Sequence, residues 1–202
     1  MDSRKSEIRS RFRAEREFHY EAIDWRQCGW DHLLQASEFR SAKIIASYLS
    51  YGTEPKTHDL NRAVIQEKKL LLLPRLLPNK DLEWVRWDGS DTHLTKKGNV
   101  YEPIGEVFNG VIDVVIVPSL HIDRNGNRLG QGGGSYDRAL AKLSAWKVAL
   151  VYAGELTSEE IPVEKHDLKV DAVATPEILV RRSEEHTSEL QSHSDLVCRL
   201  LL

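Results

Sequence analysis

The spacing of apolar residues changes period repeatedly along the chain, and each change marks a new element. Residues 5–17, KSEIRSRFRAERE, place Ile8 and Phe12 four apart among charges, which predicts a mostly solvated helix. Trp25, Leu33, Leu34 and Phe39 stand between polar residues and predict a second amphipathic helix over 24–39. The short apolar run 42–49, AKIIASYL, predicts a strand running into a loop at Tyr51-Gly52-Thr53. Thr57 predicts a cap for a helix reaching about Glu67, and 69–73 predicts a buried strand closed by Pro74. Residues 82–87 alternate as a strand, with Trp84 and Trp87 on opposite faces. The polar, glycine-punctuated stretch 88–110 reads as a long loop containing Tyr101-Glu102-Pro103. Residues 111–117, VIDVVIV, predict a strand buried on both faces, followed by a glycine-rich loop and a helix over 135–143. Further strands are expected at 146–152 and 170–174. This alternation predicts a single α/β domain of three layers, α/β/α, with a largely parallel sheet and helices on both faces.

Composition narrows the class. A chain of 202 residues with 41% hydrophobic and 29% charged residues suits one globular domain and excludes disordered, collagen-like and disulfide-scaffold classes. The longest apolar run, 148–153, is far short of the roughly 20 residues that cross a bilayer, and the charged start lacks the apolar stretch of a secretory signal. Cys28 and Cys198 lie far apart without metal-ligand spacing, which fits a reducing cytoplasm, and Cys28 reads as an inert helix residue. With 28 basic against 31 acidic residues, no global field favours nucleic acid or a membrane. An anionic ligand must therefore meet local cations.

The chemistry concentrates in 123–138, DRNGNRLGQGGGSYDR, between the most apolar strand and a helix. Glycines at 126, 130, 132, 133 and 134 allow consecutive N–H groups to approach an anion, beside the positive end of the following helix. Arg128 offers a planar donor fork, and Asp137 offers oxygen to Mg2+. The segment lacks the terminal Gly-Lys-Ser/Thr of a P-loop, and it does not fit the dinucleotide fingerprint, which normally sits early in a βαβ unit with a later acidic residue. A flexible glycine turn capped by Asp137 is the purely structural reading.

The segment NRLGQGGGSYDR resembles the signature of the 5-formyltetrahydrofolate cyclo-ligase family. Lys5 and Arg9 resemble that family's N-terminal Lys-x-x-x-Arg pair, and residues 37–57, with Glu54, resemble its first strand and loop. Tyr101-Glu102-Pro103 resembles its Glu-Pro element, and 161–175, IPVEKHDLKVDAVAT, its closing segment. The resemblance implies a three-layer fold and ATP- and Mg2+-dependent closure of 5-formyltetrahydrofolate to 5,10-methenyltetrahydrofolate by a cytoplasmic monomer, without nucleic-acid or membrane partners. It implies catalytic roles for Arg128, Gly132, Gly133, Gly134 and Tyr136. ATP would be held by Lys5, Arg9 and the run Arg128, Leu129, Gly130, Gln131, Gly132, Gly133, Gly134, Ser135 and Tyr136. The folate would meet Leu49, Tyr51, Glu54, Trp84, Tyr101, Glu102, Gln131 and Ser135, and Mg2+ would sit on Asp137 and Asp167. Ser135 stands where the family commonly carries an aromatic residue, and serine there can cap the following helix. The chemistry asks the protein for positioning and charge neutralisation rather than a nucleophile, and the sequence shows no Ser/His/Asp or Cys/His set.

Structural alternatives stand beside each assignment. Lys5 and Arg9 also read as solvated helix charges, Glu54 as a loop carboxylate, Trp84 as a sheet-packing residue and Asp167 as a turn cap. Two other functions would use the same glycine loop: an α/β enzyme acting on a sugar phosphate or acyl-CoA, and a non-catalytic folate- or nucleotide-binding homologue. From Arg182 onward the text, RSEEHTSELQSHSDLVCRLLL, resembles a translated sequencing adapter. The expected domain is 1–181, with 182–202 a non-native tail. Those 21 residues carry two basic and four acidic side chains, so without them the net charge moves from −3 to −1.

Overall fold

The computed structural model describes residues 3–21 and 29–182. Their elements are α1 (Ser3–Tyr20), α2 (Asp31–Leu34), α3 (Ser37–Ser41), β1 (Ile44–Ala46), α4 (His58–Gln66), β2 (Leu70–Leu76) and β3 (Leu82–Arg86), then β4 (Leu94–Lys97), β5 (Val100–Pro103), β6 (Val114–Pro118), β7 (His121–Asp123), β8 (Arg128–Leu129) and α5 (Ser135–Leu140), and finally β9 (Trp146–Leu150), β10 (Leu156–Thr157), β11 (Ala172–Ala174) and β12 (Leu179–Arg181). The main sheet has seven strands in the order β12-β11-β9-β6-β1-β2-β3, parallel from β11 to β2 and antiparallel at both edges.

Side-chain alternation builds the layers. Ile45, Leu71, Val114 and Ile116 face α2, α3 and α4 through Leu33, Phe39, Leu60 and Val64. Ala46, Leu72, Val115 and Val117 face α5 through Ala139 and Leu140. The expected three-layer arrangement is therefore present, and Trp84 and Trp87 occupy opposite faces. A small sheet, β10-β7-β8, carries α1: Ile8 and Phe12 pack on Leu129 and Ile161, and the Phe12 ring stacks on His121 at 3.5 Å. Burial holds the His121 imidazole down at about 4, so the stacked ring is uncharged at neutral pH.

Several elements differ from expectation. Residues 22–28 of the expected second helix, with Trp25 and Cys28, lie outside the described residues. The remainder forms two short helices broken at Ala36, whose ψ is 139°. Trp30, Leu33, Ala36 and Phe39 are all buried at three-residue spacing, and at 3.6 residues per turn an unbroken helix would swing Phe39 roughly half a turn from Trp30. The break returns Phe39 to the core. Strand β2 continues through Pro74, which pairs with Trp84. The missing N–H of Pro74 would point toward β1, and β1 has already ended opposite Leu72. Asp113 lies outside β6 and accepts the Lys43 and Ile44 N–H groups at 2.8 and 2.9 Å, which joins the starts of β1 and β6. The expected loop 88–110 contains the hairpin β4–β5, turned at Gly98-Asn99 with Gly98 at φ 60°. Such a two-residue glycine turn is itself a hairpin signal. Helix α5 is only six residues long, with Gly134 rather than Ser135 at its N-cap and no side-chain cap.

Candidate functional site

A cavity of about 550 Å3 opens beyond the carboxyl ends of β1, β2 and β6. Here the chain order reverses: β1 leads through α4 to β2 on one side, while β6 leads through α5 to β9 on the other. Open α/β sheets bind ligands at such a switch point.

One wall is cationic. Lys5, Arg9, Arg128, Gly130, Gln131, Gly132, Gly133, Gly134, Ser135 and Tyr136 line it, together with Asp137 and Asp167. Lys5 is 3% exposed and donates to Asp167, with Glu164 3.8 Å away. Burial works against ionisation of Asp167, but the Glu164 N–H and the Lys5 ammonium outweigh it and hold the carboxyl below its ordinary range. Arg128 donates to Asp137 at 2.7 Å. A Cβ at position 130 would lie 2.5 Å from Arg128 Nη1, so a larger residue there would displace this guanidinium from its place against the loop. Arg9 Nε donates to the Gly130 carbonyl at 3.0 Å. Arg9 Nη1 and Arg128 Nε are buried without a protein acceptor among the described residues, as donors reserved for a ligand would be.

The other wall is aromatic and acidic. Leu49, Tyr51, Glu54, Tyr101 and Glu102 line it with Tyr48. Burial, only partly offset by the Tyr51 N–H and the charges of Arg16 and Lys56, pushes the Glu54 carboxyl up to about 7. Burial first, then the Glu54 charge, raises Tyr48 and Tyr136, so both remain hydroxyl donors. Glu102 is buried, accepts the Leu76 N–H at 3.1 Å and lies 2.7 Å from Lys97. It thereby ties the hairpin to β2 and leaves Tyr101, 53% exposed, at the cavity mouth.

Two expected site residues lie outside this wall. Trp84 is buried in the layer under α5, edge-on to Tyr136 at 6.5 Å, because its strand position faces the helix rather than the cavity. Leu129 is fully buried against Phe12 and Ile161, the inward position of β8. Ser135 lines the cavity without capping α5.

The two carboxylates suit a hard cation in donor type. Asp137 Oδ1 and Asp167 Oδ2 are taken by protein donors, and the second oxygen of each accepts no protein hydrogen bond among the described residues. Mg2+ commonly uses one or two carboxylates and takes its remaining oxygens from phosphates and water. Among the described residues no three His, Cys, Asp or Glu side chains converge as a ligand set, so an ion here would depend on those other oxygens.

Sequence reasoning missed the residues that hold α1 in place. Arg16, 4% exposed, donates to Glu155 at 2.5 and 2.6 Å, to Ser119 O at 2.7 Å and to Leu120 O at 3.1 Å. Arg13 donates to Gln131, and Arg138 reaches the Gly133 carbonyl. A signal existed: Lys5, Arg9, Arg13 and Arg16 recur at spacings of four, four and three, one stripe of a helix.

A sequence profile described as the 5-formyltetrahydrofolate cyclo-ligase family matches residues 1–176. A 5-formyltetrahydrofolate cyclo-ligase of Mycolicibacterium smegmatis is 32% identical over 149 residues, 67% of this chain and 75% of the relative. The cyclo-ligase of Escherichia coli K12 is 32% identical over 143 residues, 67% of this chain and 79% of the relative. The solved structure of a 5,10-methenyltetrahydrofolate synthetase from Aquifex aeolicus superposes with a TM-score of 0.74 at 28% identity, covering 95% of this chain and 98% of the other. A synthetase of that name from Mycoplasma pneumoniae, 16% identical with a TM-score of 0.64, shares the fold. No described helix is long and apolar enough to cross a membrane. With a profile match over most of its length, and relatives similar along three quarters of their own chains, this chain belongs to the 5-formyltetrahydrofolate cyclo-ligase family.

Proposed function

We propose that the chain catalyses ATP-dependent closure of 5-formyltetrahydrofolate to 5,10-methenyltetrahydrofolate. The observation that carries this reading is a single cavity with two unlike walls, one of cations and amide-rich glycine backbone, the other of tyrosines around a buried carboxyl. A formyl amide carbon is a weak electrophile with a poor leaving group. Transfer of the γ-phosphoryl group to the formyl oxygen releases ADP and gives an iminium phosphate. N10 of the same folate then attacks that carbon and gives up its proton to solvent, and inorganic phosphate leaves with the former formyl oxygen.

In this reading Lys5, Arg9 and Arg128 neutralise phosphate charge, and the backbone from 130 to 134 wraps the transferring group, as positioning and electrostatic catalysis require. Tyr136, kept protonated by burial, donates into the same wall. Tyr51 and the Glu54 carboxylate meet the donor edge of the pterin, with Leu49 and Tyr101 along its rings. Asp137 and Asp167 would hold Mg2+, which when bound supplies Lewis-acid charge to the phosphate oxygens. The chain acts in the cytoplasm as a monomer.

The test is the rise in methenyl-folate absorbance with 5-formyltetrahydrofolate, ATP and Mg2+. A rise that requires all three supports the reading. Folded protein that gives no ATP-dependent rise, or that turns over a sugar phosphate without ATP, overturns it.

A further inference from the structure

The glycine loop is held by three guanidinium groups, each on a backbone carbonyl; Arg9 and Arg138 also line the cavity, whereas Arg13 reaches the loop from outside it. Arg9 takes the Gly130 carbonyl at 3.0 Å, Arg13 the Gln131 carbonyl at 3.0 Å, and Arg138 the Gly133 carbonyl at 3.4 and 3.5 Å. In a planar trans peptide the carbonyl and the next N–H point in opposite directions. Fixing these carbonyls toward the arginines therefore turns the N–H groups of Gln131, Gly132 and Gly134 the other way. None of the three finds a protein acceptor among the described residues. Gly132, at φ +102°, and Gly134, at φ +66°, adopt backbone conformations that such a turn of successive amides needs.

Arg13 is the clearest of the three because, among the described residues, its hydrogen bonds all go to Gln131, although its charge also reaches Tyr51. It is exposed, does not line the cavity, and spends its fork on one residue, Nε on Gln131 Oε1 and Nη2 on Gln131 O, both at 3.0 Å. The contact spans 118 residues of sequence and joins a rigid helix to a segment that glycine leaves free to move. Holding the Gln131 side chain back over its own carbonyl also keeps it from folding across the amides.

We propose that Arg13 is a positioning residue: it latches Gln131 to α1 and so keeps the loop amides turned toward a polyphosphate in the cavity. This deepens the cyclo-ligase reading and rests on it for the identity of the anion as ATP.

The experiment titrates inorganic tripolyphosphate into the full chain by calorimetry, for the unaltered protein and for Arg13→Ala, Arg13→Lys and Arg11→Ala. Arg11 is the control: it sits on the same helix, is exposed, carries the same charge and pairs with Glu159 at 2.7 Å instead of the loop. Arg13→Ala is expected to weaken tripolyphosphate about tenfold, the scale of a lost charge-assisted hydrogen bond. Affinity for 5-formyltetrahydrofolate and the melting midpoint should stay unchanged. Arg13→Lys recovers only part, since an ammonium does not span both oxygens as a fork does, and Arg11→Ala matches the unaltered protein. The inference is overturned if Arg13→Ala behaves like Arg11→Ala, if it weakens folate and tripolyphosphate equally, or if the unaltered protein does not bind tripolyphosphate. Turnover is recorded in parallel: unaltered protein that binds tripolyphosphate but forms no methenyl product overturns the ligase reading, and the latch is still decided by the affinities.

Discussion

The two walls of the cavity are assembled by opposite strategies. The wall around Glu54 is local. Thr57 Oγ1 donates to the Tyr48 carbonyl at 2.7 Å, Ser50 and Thr57 exchange hydrogen bonds at 3.1 and 3.2 Å, and Tyr51 and Glu54 bond each other through backbone and carboxylate. Asn61, one turn into α4, donates to the same Tyr48 carbonyl at 3.0 Å. Everything that shapes the Glu54 loop lies within 14 residues, and Tyr101 and Glu102 complete the wall from the hairpin. The cationic wall is assembled from contacts that span the molecule: Lys5 to Asp167, Arg9 to Gly130 and Arg16 to Glu155 are separated by 162, 121 and 139 residues. The Glu54 side of the acidic wall therefore forms with its own loop. The cationic wall exists only when α1 is docked.

That difference is most sharply broken at Arg16. Removing one member of a buried ion pair leaves the other desolvated and unpaired, a cost of about 3–5 kcal/mol. Arg16→Ala also frees the Ser119 and Leu120 carbonyls. Denaturant unfolding should show a loss of that size, with little recovery in Arg16→Lys because the ammonium does not replace four directed contacts. At temperatures where the variant stays folded, ATP affinity should fall more than folate affinity, which loses only the Arg16 charge that favours the Glu54 carboxylate. Equal loss of both would mean that the walls are not separately built.

Arg128→Ala probes the cationic wall without undocking α1. Its guanidinium touches Asp137 and lies against Gly130, so its loss removes transition-state charge stabilisation rather than the helix contact. A fall in kcat of about 100- to 1000-fold is expected, the scale for one preorganised donor. The folate KM should change little, and initial rates at saturating ATP check this.

The contrast also explains what the sequence made legible. The parallel sheet is readable because Val114–Pro118 and residues 148–150 are apolar stretches whose burial follows from their own composition. Glu54 and the glycine loop were readable because each sits in a short contiguous motif. Arg13 and Arg16 carry the same residue type as Arg11, and within α1 only the stripe they share with Lys5 and Arg9 sets them apart; that Arg16 becomes buried while Arg11 and Arg13 stay exposed follows from docking alone. The hairpin β4–β5 was missed for a different reason. Leu94–Lys97 is exposed and polar, so period-two alternation is weak, and only the Gly98-Asn99 turn carried the signal. For Trp84 the sequence offers both a folate contact and a place packed on the sheet, and the parity of β3 decides for the second by directing it to α5.

The smallest effects concern Glu54, and they test whether the acidic wall is as dry as its geometry implies. With its carboxyl pushed up to about 7 by burial, the free protein holds a proton there through much of the neutral range. The donor edge of a pterin calls for the carboxylate, so folate binding releases that proton and affinity should rise with pH. The folate KM should fall between pH 6 and 8, approaching tenfold per unit on the acid side, and level off above about 8. Glu54→Gln should weaken folate by about 10- to 100-fold at pH 8, as expected for a lost hydrogen bond to a charged group, and should flatten the profile. Stability responds with the opposite sign. The unfolded chain loses this proton near the ordinary value of 4.5 and the folded protein near 7, so between those values the folded state binds more protons. Stability from this group is therefore lost as pH rises through that window. Melting midpoints of the unaltered protein should decline relative to Glu54→Gln from pH 5 to 8; parallel curves would place Glu54 in water and remove the basis for a desolvated acidic wall.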